Sequence, residues 1–483
     1  MKKPLLLLLP FIIVSICSFS QTNVDAGRMN EVFRKTDLVN AAANLNDPWE
    51  ITYGPDDSLW ITEAKGYRVR KVHPVNGGMR TILDLTTFAL PWRKNYTSGG
   101  SVPNPQGGLM GLAIAPDYMT AAQKYVYVAY IHDFIGTNVA YNGETVNGDL
   151  FITWLVRFTY ANGQLANPLA ICDTIRGSSD HNSGRMIIAK EAGTSYLYYA
   201  VGDMGAGQFA NTNRVIKAQW TNSYEGKILR FNLNGTIPAS NPYGAGSAVW
   251  ATGMRNNQGL AFDTTSNILY GSSHGPFSDD EVNILQLGKN YGHPLVEGYS
   301  DDNYNNSKAA TPASILPLIV DETNNASTIG ASYQDPLFAA YAALPGNSTT
   351  PGTVNYIYNN NPANGAWPSE GWSGLGLYTD SKIPGWKNSL IAASLKWGRL
   401  VKLRLNPAGT AVVPTGTQDT VSYFGSRNRF RDVAFDPDGK TIYVVMDRST
   451  TSSGPSNGSP IVPDCLGCIH KYTFLGYNDN AGL

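Results

Sequence analysis

Apolar and polar positions alternate along this chain in one repeated arrangement. An apolar strand runs into a polar turn, and a second apolar or aromatic strand follows. The pair occurs six times: PWEITYGPDDSLWITE (48–63), GLMGLAIAPDYMTAAQKYVYVAYI (108–131), GRMIIAKEAGTSYLYYAVGD (184–203), QGLAFDTTSNILYGSSHGP (258–276), the less regular GWKNSLIAASLKWGRLVKLRL (385–405), and RDVAFDPDGKTIYVVMD (431–447). Three of the turns carry Pro-Asp, at Pro55-Asp56, Pro116-Asp117 and Pro437-Asp438, a pairing suited to tight reversals. No helical run longer than a few turns stands out. The units recur roughly every 70 residues, long for one four-stranded blade, so the excess belongs to insertions, the longest between roughly 300 and 385. Six such units predict an all-β fold, a six-bladed β-propeller with inter-blade and surface loop insertions. Each sheet then buries two faces against its neighbours, and ring closure removes most exposed edges. A pair of β-sandwiches would not need a sixfold repeat. The C-terminal YNDNAGL offers no obvious strand to close the ring.

The N-terminus changes the picture of where the protein works. MKKPLLLLLPFIIVSICSFSQ has a basic start at Lys2 and Lys3, an apolar stretch from Leu5 to Val14, and small residues at Ser18 and Ser20. It reads as a cleaved secretory signal over residues 1–20, leaving residues 21–483 as a single exported domain, periplasmic or secreted. Ile16 before Cys17 is bulkier than lipoprotein processing prefers. No later segment is long and apolar enough for a membrane span. Lys and Arg number 36 against 37 Asp and Glu, with no basic stripe, which argues against nucleic acid as a partner. Aromatic residues at 11%, charged residues at only 15%, 49 Gly and 28 Pro suit an all-β chain with many turns. Of four cysteines, Cys17 is in the signal, Cys172 stands alone, and Cys465 and Cys468 form CLGC. His470 comes one residue too late for a haem attachment motif, so a local disulfide in an oxidising compartment is the better reading.

Hairpin geometry brings polar residues together. A hairpin returns its end to its start. In SSDHNSGR (178–185), His181 precedes the first strand of the third unit, and Asp203 follows the second, 22 positions later. They are expected to be neighbours, with the carboxylate orienting the imidazole and making it a better base. The same logic collects Gln106, Gly107 and Gly108 before unit two, Arg255, Asn256 and Gln258 before unit four, SHGP (273–276) after it, and Arg429 and Arg431 before unit six. Lys396 is placed after the first strand of unit five. Several cations without a matching acid cluster call for an anionic ligand with more than one carboxylate or phosphate. The segment 273–302, rich in acids, glycine and turns, suits Ca²⁺, which takes six to eight oxygens, many from backbone. It is not an EF-hand, and His274 and His293 lack cysteine or histidine partners at zinc-binding spacing.

Taken in order, PQGGLMGLAIAPDY, SSDHNSGR, AVGDMGAGQ, EGKILRFNLNGTIPASNP, GMRNNQGLAF, HGPFSDDEVN, GKNYGHPLVEGYSDD, SLKWG and NRFRDVAFDPDG resemble the soluble quinoprotein glucose/sorbosone dehydrogenases. These are six-bladed propellers that use pyrroloquinoline quinone (PQQ) and Ca²⁺. The resemblance runs from about Leu45 to Tyr472 and is weakest between Asn303 and Asn364. It implies oxidation of an aldose at C1 to the lactone. His181 would be the general base for the anomeric hydroxyl, and Asp203 the carboxylate that orients it. Gln106, Asp180 and Gln208 would line the sugar site. Arg255 and Asn256 would lie at the reactive quinone carbonyls, with Arg255 stabilising charge that develops there. Lys396, Arg429 and Arg431 would bind the cofactor's carboxylates. Backbone carbonyls of Gly275 and Pro276 would hold the Ca²⁺ that contacts PQQ, a Lewis acid on the quinone. Glu281, Tyr291, Glu297, Tyr299 and Asp301, with Glu322 as an extra ligand, would form a second calcium site built partly from main-chain oxygens. Trp367 and Ser369 match an aromatic and a hydroxyl of the pocket, where Ser369 would contact the cofactor. Two departures stand out. Asn364 falls where an aromatic is expected, and Met254 replaces a histidine beside Arg255. The sugar, the electron acceptor and the assembly stay open, a homodimer being compatible.

Two other readings compete. A Ca²⁺-dependent propeller hydrolase, lactonase-like, explains calcium and a histidine but not Lys396, Arg429 and Arg431. A non-catalytic sugar-binding propeller predicts loss of the base or of the cationic set, and both are present in the sequence.

Overall fold

In a computed structural model of the chain, the described residues are 21–25, 30–43, 45–94, 105–134, 150–208, 211–342, 354, 369–414, 420–448 and 463–478. They form six antiparallel sheets. Blade 1 holds Pro48–Tyr53, Leu59–Glu63, Arg68–Val72 and Met79–Asp84, in that order. Blades 2 to 5 repeat the plan, beginning with Leu109–Ile114, Ser183–Glu191, Asn256–Asp263 and Trp372–Tyr378. The strands are apolar on both faces because each sheet packs on a sheet at either side. Six separate apolar clusters result, one at each junction between blades. The junction of blades 5 and 6, for example, packs Trp386 and Tyr423 against Phe33 and Phe430.

Blade 6 corrects one expectation. The ring does have a closing element, and it comes from the other end of the chain. Phe430–Phe435, Thr441–Met446 and Ile469–Tyr477 are completed by Glu31–Val39, which pairs antiparallel with Ile469–Tyr477. Hydrogen bonds between the two ends of the chain satisfy the edge that the C-terminal strand would otherwise expose.

Unit five also differs from its sequence reading. SLIAAS is the second strand of blade 5, Ser389–Ser394, and the first is Trp372–Tyr378. Lys396 therefore follows a second strand, and so lies on the same face as Asp203, which follows the second strand of blade 3, and His274, which ends that of blade 4. The insertion between the last two strands of blade 4, Asp280–Leu285 and Phe338–Ala340, carries one short helix, Glu322–Ile329, capped by the Asp321 side chain on Asn324 N. The CLGC cysteines form a disulfide, Cys465–Cys468. Residues 1–20, including Cys17, lie outside the described residues. Among the described residues no helix is long and apolar enough to cross a membrane.

The central channel is polar. Arg185 of blade 3 reaches Asp432 of blade 6 at 2.7 Å and Glu50 of blade 1 at 3.2 Å, all three buried. Asp432 also accepts from Ile51 N at 2.9 Å. Three blades are thus tied across the axis beneath the candidate site.

Candidate active site

The mouth is built from residues that precede first strands or follow second strands. His181 Nδ1 lies 2.7 Å from Asp203 Oδ1. That approach requires Gly202, where a Cβ would fall 1.8 Å from the His181 carbonyl oxygen. His181 has φ +49°, a left-handed conformation uncommon outside glycine. Neighbours hold it there. Gln106 donates from Nε2 to Asp180 Oδ1 at 3.2 Å and accepts Asn182 N–H at 3.0 Å, while Asp180 Oδ1 also accepts His181 N–H at 3.0 Å. The turn is polar for a structural reason and carries the imidazole as well.

Asp203 is fully buried. Burial alone would raise its carboxyl, but His181 and His293 outweigh it and hold the group well below the usual carboxylate range. Ionised, Asp203 accepts the Nδ1 proton of His181 and leaves Nε2 able to take another. Nε2 is 3.8 Å from Asp180 Oδ1.

Around this pair stand the cations. Arg255 donates from Nη1 to the His274 carbonyl at 3.1 Å, and its own carbonyl accepts Asp203 N–H at 2.8 Å. Asn256 Oδ1 accepts Ser183 N–H at 3.2 Å, so blade 4 braces the His181 turn. Arg431 donates to Gln258 Oε1 at 2.7 Å and stacks over Trp49 at 4.3 Å. The expectation of cations without matching acids is corrected: Arg431 pairs with Asp447, whose Oδ2 is also 3.9 Å from Arg429 Nε. The reason is repeat geometry, because Asp447 follows the second strand of blade 6 as Asp203 follows that of blade 3. Lys396 is buried, and burial lowers its ammonium against the pull of Asp280 and Glu370. Burial pushes the His274 imidazole well down, helped by the charges of Arg255, His181, Arg431 and Arg429, which come from blades 3, 4 and 6. Arg255 Nε, His274 Nε2, Arg431 Nε and Asp180 Oδ2 are buried without a hydrogen-bond partner. A multi-oxygen polar ligand fits such a set.

Gly275 and Pro276 form a tight turn, where a Cβ on Gly275 would lie 1.7 Å from Ser278 O. Asp280 fastens it: its carboxylate accepts Gly275 N–H at 3.0 Å, Ser369 Oγ–H at 2.8 Å and Gly371 N–H at 3.0 Å. Ser369 is thus brought to the Gly275–Pro276 turn. The second calcium set is only partly gathered. Glu281 accepts from Gly298 N and Asn283 Nδ2, and Glu322 from Glu297 N and Tyr304 N. Asp301 accepts from Asn303 N. The Tyr291 hydroxyl bonds the Ile284 carbonyl in the core, and the Tyr299 hydroxyl faces Ala339 N at the outer edge. Among the described residues no three carboxylate, imidazole or thiolate groups converge as metal ligands. Gln208 is turned onto the insertion, donating to the Ala309 carbonyl at 3.4 Å. Met254 is buried in the core between blades 3 and 4. Trp367 and Asn364 lie outside the described residues.

A family model for glucose/sorbosone dehydrogenase matches residues 45–343 and 321–453. The chain is 33% identical to quinoprotein glucose dehydrogenase B of Acinetobacter calcoaceticus, over 89% of this chain and 90% of that one. It belongs to the glucose/sorbosone dehydrogenase family. Solved structures agree in fold. The PQQ-bound aldose sugar dehydrogenase of Streptomyces coelicolor matches at TM-score 0.58 and 21% identity, over 93% of this chain and 100% of that one. The apo-form of the soluble aldose sugar dehydrogenase of Escherichia coli matches at 0.60 and 22%, over 92% and 99%.

In this glucose/sorbosone dehydrogenase, sequence reasoning missed four polar residues of the site: Asp280, Asp447, Lys65 and His293. Position in the repeat was a usable signal for Asp447. For Lys65, which donates to the Pro105 and Gly107 carbonyls beside Gln106 at 2.7 and 2.6 Å, none was available. For His293 the sequence speaks only to zinc, and its spacing argues against that metal. Its Nε2 is 3.0 Å from Asp203 Oδ2 and its Nδ1 2.5 Å from Glu297 Oε1. Burial opposes its charge, yet Glu297 and Asp203 push it up to about 9.

The buried acids make stability pH-dependent. Burial and the Glu297 carboxylate push Glu281 up to about 8, and burial with Asp301 and Glu297 does the same to Glu322. The folded apoprotein therefore holds protons that the unfolded chain releases near pH 4.3. This stabilisation is complete below that pH and is lost as pH rises through about 8. Denaturant unfolding of the apoprotein is expected to show stability falling by on the order of a few kcal/mol between pH 5 and pH 8.5. A flat profile would remove these shifts.

Proposed function

We propose that this protein is an exported PQQ-dependent dehydrogenase that oxidises an aldose at C1 to the lactone with Ca²⁺ assistance. The observation that carries the reading is the His181–Asp203 pair on one rim with Arg255, Lys396, Arg429 and Arg431. PQQ held there would supply the two-electron acceptor for the C1 hydride, and Ca²⁺ would supply Lewis-acid assistance.

The chain's own residues do the rest. Lys396, Arg429 and Arg431 would bind the cofactor's carboxylates, and Asp447 fixes the Arg431 fork before the ligand arrives. Arg255 and Asn256 would face the quinone oxygens, and Ser369 would contact the cofactor. Gly275 and Pro276 would offer carbonyls to Ca²⁺ from the turn that Asp280 fastens. Gln106, Asp180 and Gln208 would line the sugar site, with Trp367 in the same role. His181 Nε2 would take the anomeric hydroxyl proton, and Asp203 would stabilise the imidazolium that forms. The carbonyl of the lactone forms as that O–H bond and the C1–H bond break.

A second calcium ion held by Glu281, Tyr291, Glu297, Tyr299, Asp301 and Glu322 is a separate expectation. Calcium that engages the Glu281 and Glu322 carboxylates would flatten the pH profile described above. Purified apoprotein mixed with PQQ, Ca²⁺, a panel of aldoses and an artificial electron acceptor tests the main reading. Dye reduction that needs all components supports it. No reduction with any sugar removes it, and a lactone-hydrolysing activity in its place would favour a hydrolase.

A further inference from the structure

We propose that His293 is a positioning residue for the base. It holds Asp203 in the one orientation that presents His181 Nε2 to the substrate. The proposal rests on the dehydrogenase reading above.

The backbone places His293 firmly. After Asp280–Leu285 the chain crosses to the edge of blade 3, where Tyr291 N donates to Thr252 O at 3.0 Å and His293 N to Gly253 O at 3.1 Å. Gln219 Nε2 donates to the His293 carbonyl at 2.8 Å. The residue is 2% exposed, and its side chain enters beneath Asp203. The two oxygens of Asp203 are then divided. Oδ1 takes His181 Nδ1 at 2.7 Å and Gly205 N at 3.0 Å, while Oδ2 takes His293 Nε2 at 3.0 Å.

The terminal torsion of an aspartate is broad and roughly two-fold. A carboxylate bonded through one oxygen can swing, and the imidazole it holds swings with it. A donor on the second oxygen stops that rotation and fixes both the plane and the tautomer of His181. His293 is itself fixed at the far nitrogen by Glu297 Oε1, and Glu297 N is held by Glu322 Oε1 at 3.0 Å. The Glu297 side chain thus serves the base through His293, whatever its main chain does. A purely space-filling role does not account for hydrogen bonds to carboxylates at both ring nitrogens.

Two variants separate donation from packing. His293→Gln keeps an N–H donor at a similar reach, and His293→Met keeps bulk without a donor. In the PQQ- and Ca²⁺-loaded enzyme, His293→Met is expected to lower kcat about 10- to 100-fold, the loss of one charge-assisted hydrogen bond. KM for the sugar should stay within about twofold, because the interaction acts on the base and not on sugar binding. His293→Gln should recover most of kcat. Histidine ¹⁵N-labelled apoprotein gives a readout without turnover. The low-field Nδ1–H resonance of His181, identified by its loss in His181→Asn, should persist in His293→Gln and disappear in His293→Met. Wild-type kcat with an intact resonance in His293→Met overturns the proposal, as does a His293→Gln variant no better than His293→Met. Should His293→Met not fold, Glu297→Gln is read by the same two measurements, and no change in either overturns it. An enzyme inactive with every sugar defeats the dehydrogenase reading, while the apoprotein resonance still decides this one.

Discussion

Replacing His181 by alanine is expected to lower kcat by about 10²- to 10⁴-fold, the usual share of one positioned base. PQQ binding, followed by the absorbance of the bound quinone, should be unchanged within about twofold, since the cations proposed to hold its carboxylates belong to other blades. The size of the effect follows from the geometry. Asp203 is fully buried, ionised and 2.7 Å from His181 Nδ1, so Nδ1 is engaged and Nε2 is the nitrogen left to meet the substrate. The acidic alternative beside it, Asp180, has Oδ1 engaged by Gln106 and His181 N, and its Oδ2 is buried. Steady-state kinetics with a sugar that the wild-type enzyme oxidises checks the prediction. Turnover that persists in the variant would mean another group removes the hydroxyl proton.

The largest stability effect is expected at Arg185. Its guanidinium is the cation in direct contact with the two buried carboxylates Glu50 and Asp432, and it joins blades 1, 3 and 6 across the channel. One cation does not neutralise two acids. Burial, opposed by Arg185 and reinforced by Asp432, pushes Glu50 up to about 7. Arg185→Met should cost about 3–5 kcal/mol, the range found when one partner of a buried ion pair is removed. The loss should be smaller at pH 5, where both acids can be buried as neutral groups, than at pH 8, where burial must keep them protonated against the solvent. Glu50→Gln should cost far less at neutral pH, because the wild-type carboxyl is already partly protonated there. Denaturant midpoints of the three proteins at the two pH values test this. Equal losses from Arg185→Met and Glu50→Gln would show that the network carries no special weight.

The fold was largely legible in the sequence because a repeated strand-turn-strand pattern is local information. Each hairpin is specified by its own apolar runs and turn residues, and six of them leave few ways to bury every face. The His181–Asp203 contact was legible for the same reason, since a single hairpin brings its ends together. What was not legible involved residues from different blades or from the insertions. Blade 5 was entered one strand late because its first strand, Trp372–Tyr378, is separated from the second by a ten-residue connection over 379–388. Ring closure was invisible because its partner, Glu31–Val39, is more than 400 residues away in sequence from Ile469–Tyr477.

The order of apolar and polar residues by itself determined the class of fold, the number of blades and the polarity of their ends, and hence a rim carrying a histidine, an aspartate and several cations. Only the tertiary structure decided how those groups are partnered: Asp447 against Arg431, Asp280 beneath the Gly275 turn, His293 and Glu297 behind Asp203. The reason is one of range. Strand pairing within a hairpin is a short-range property of neighbouring residues. A buried charge finds its partner wherever packing of the whole ring brings an opposite group within about 3 Å, and no spacing along the chain encodes that distance.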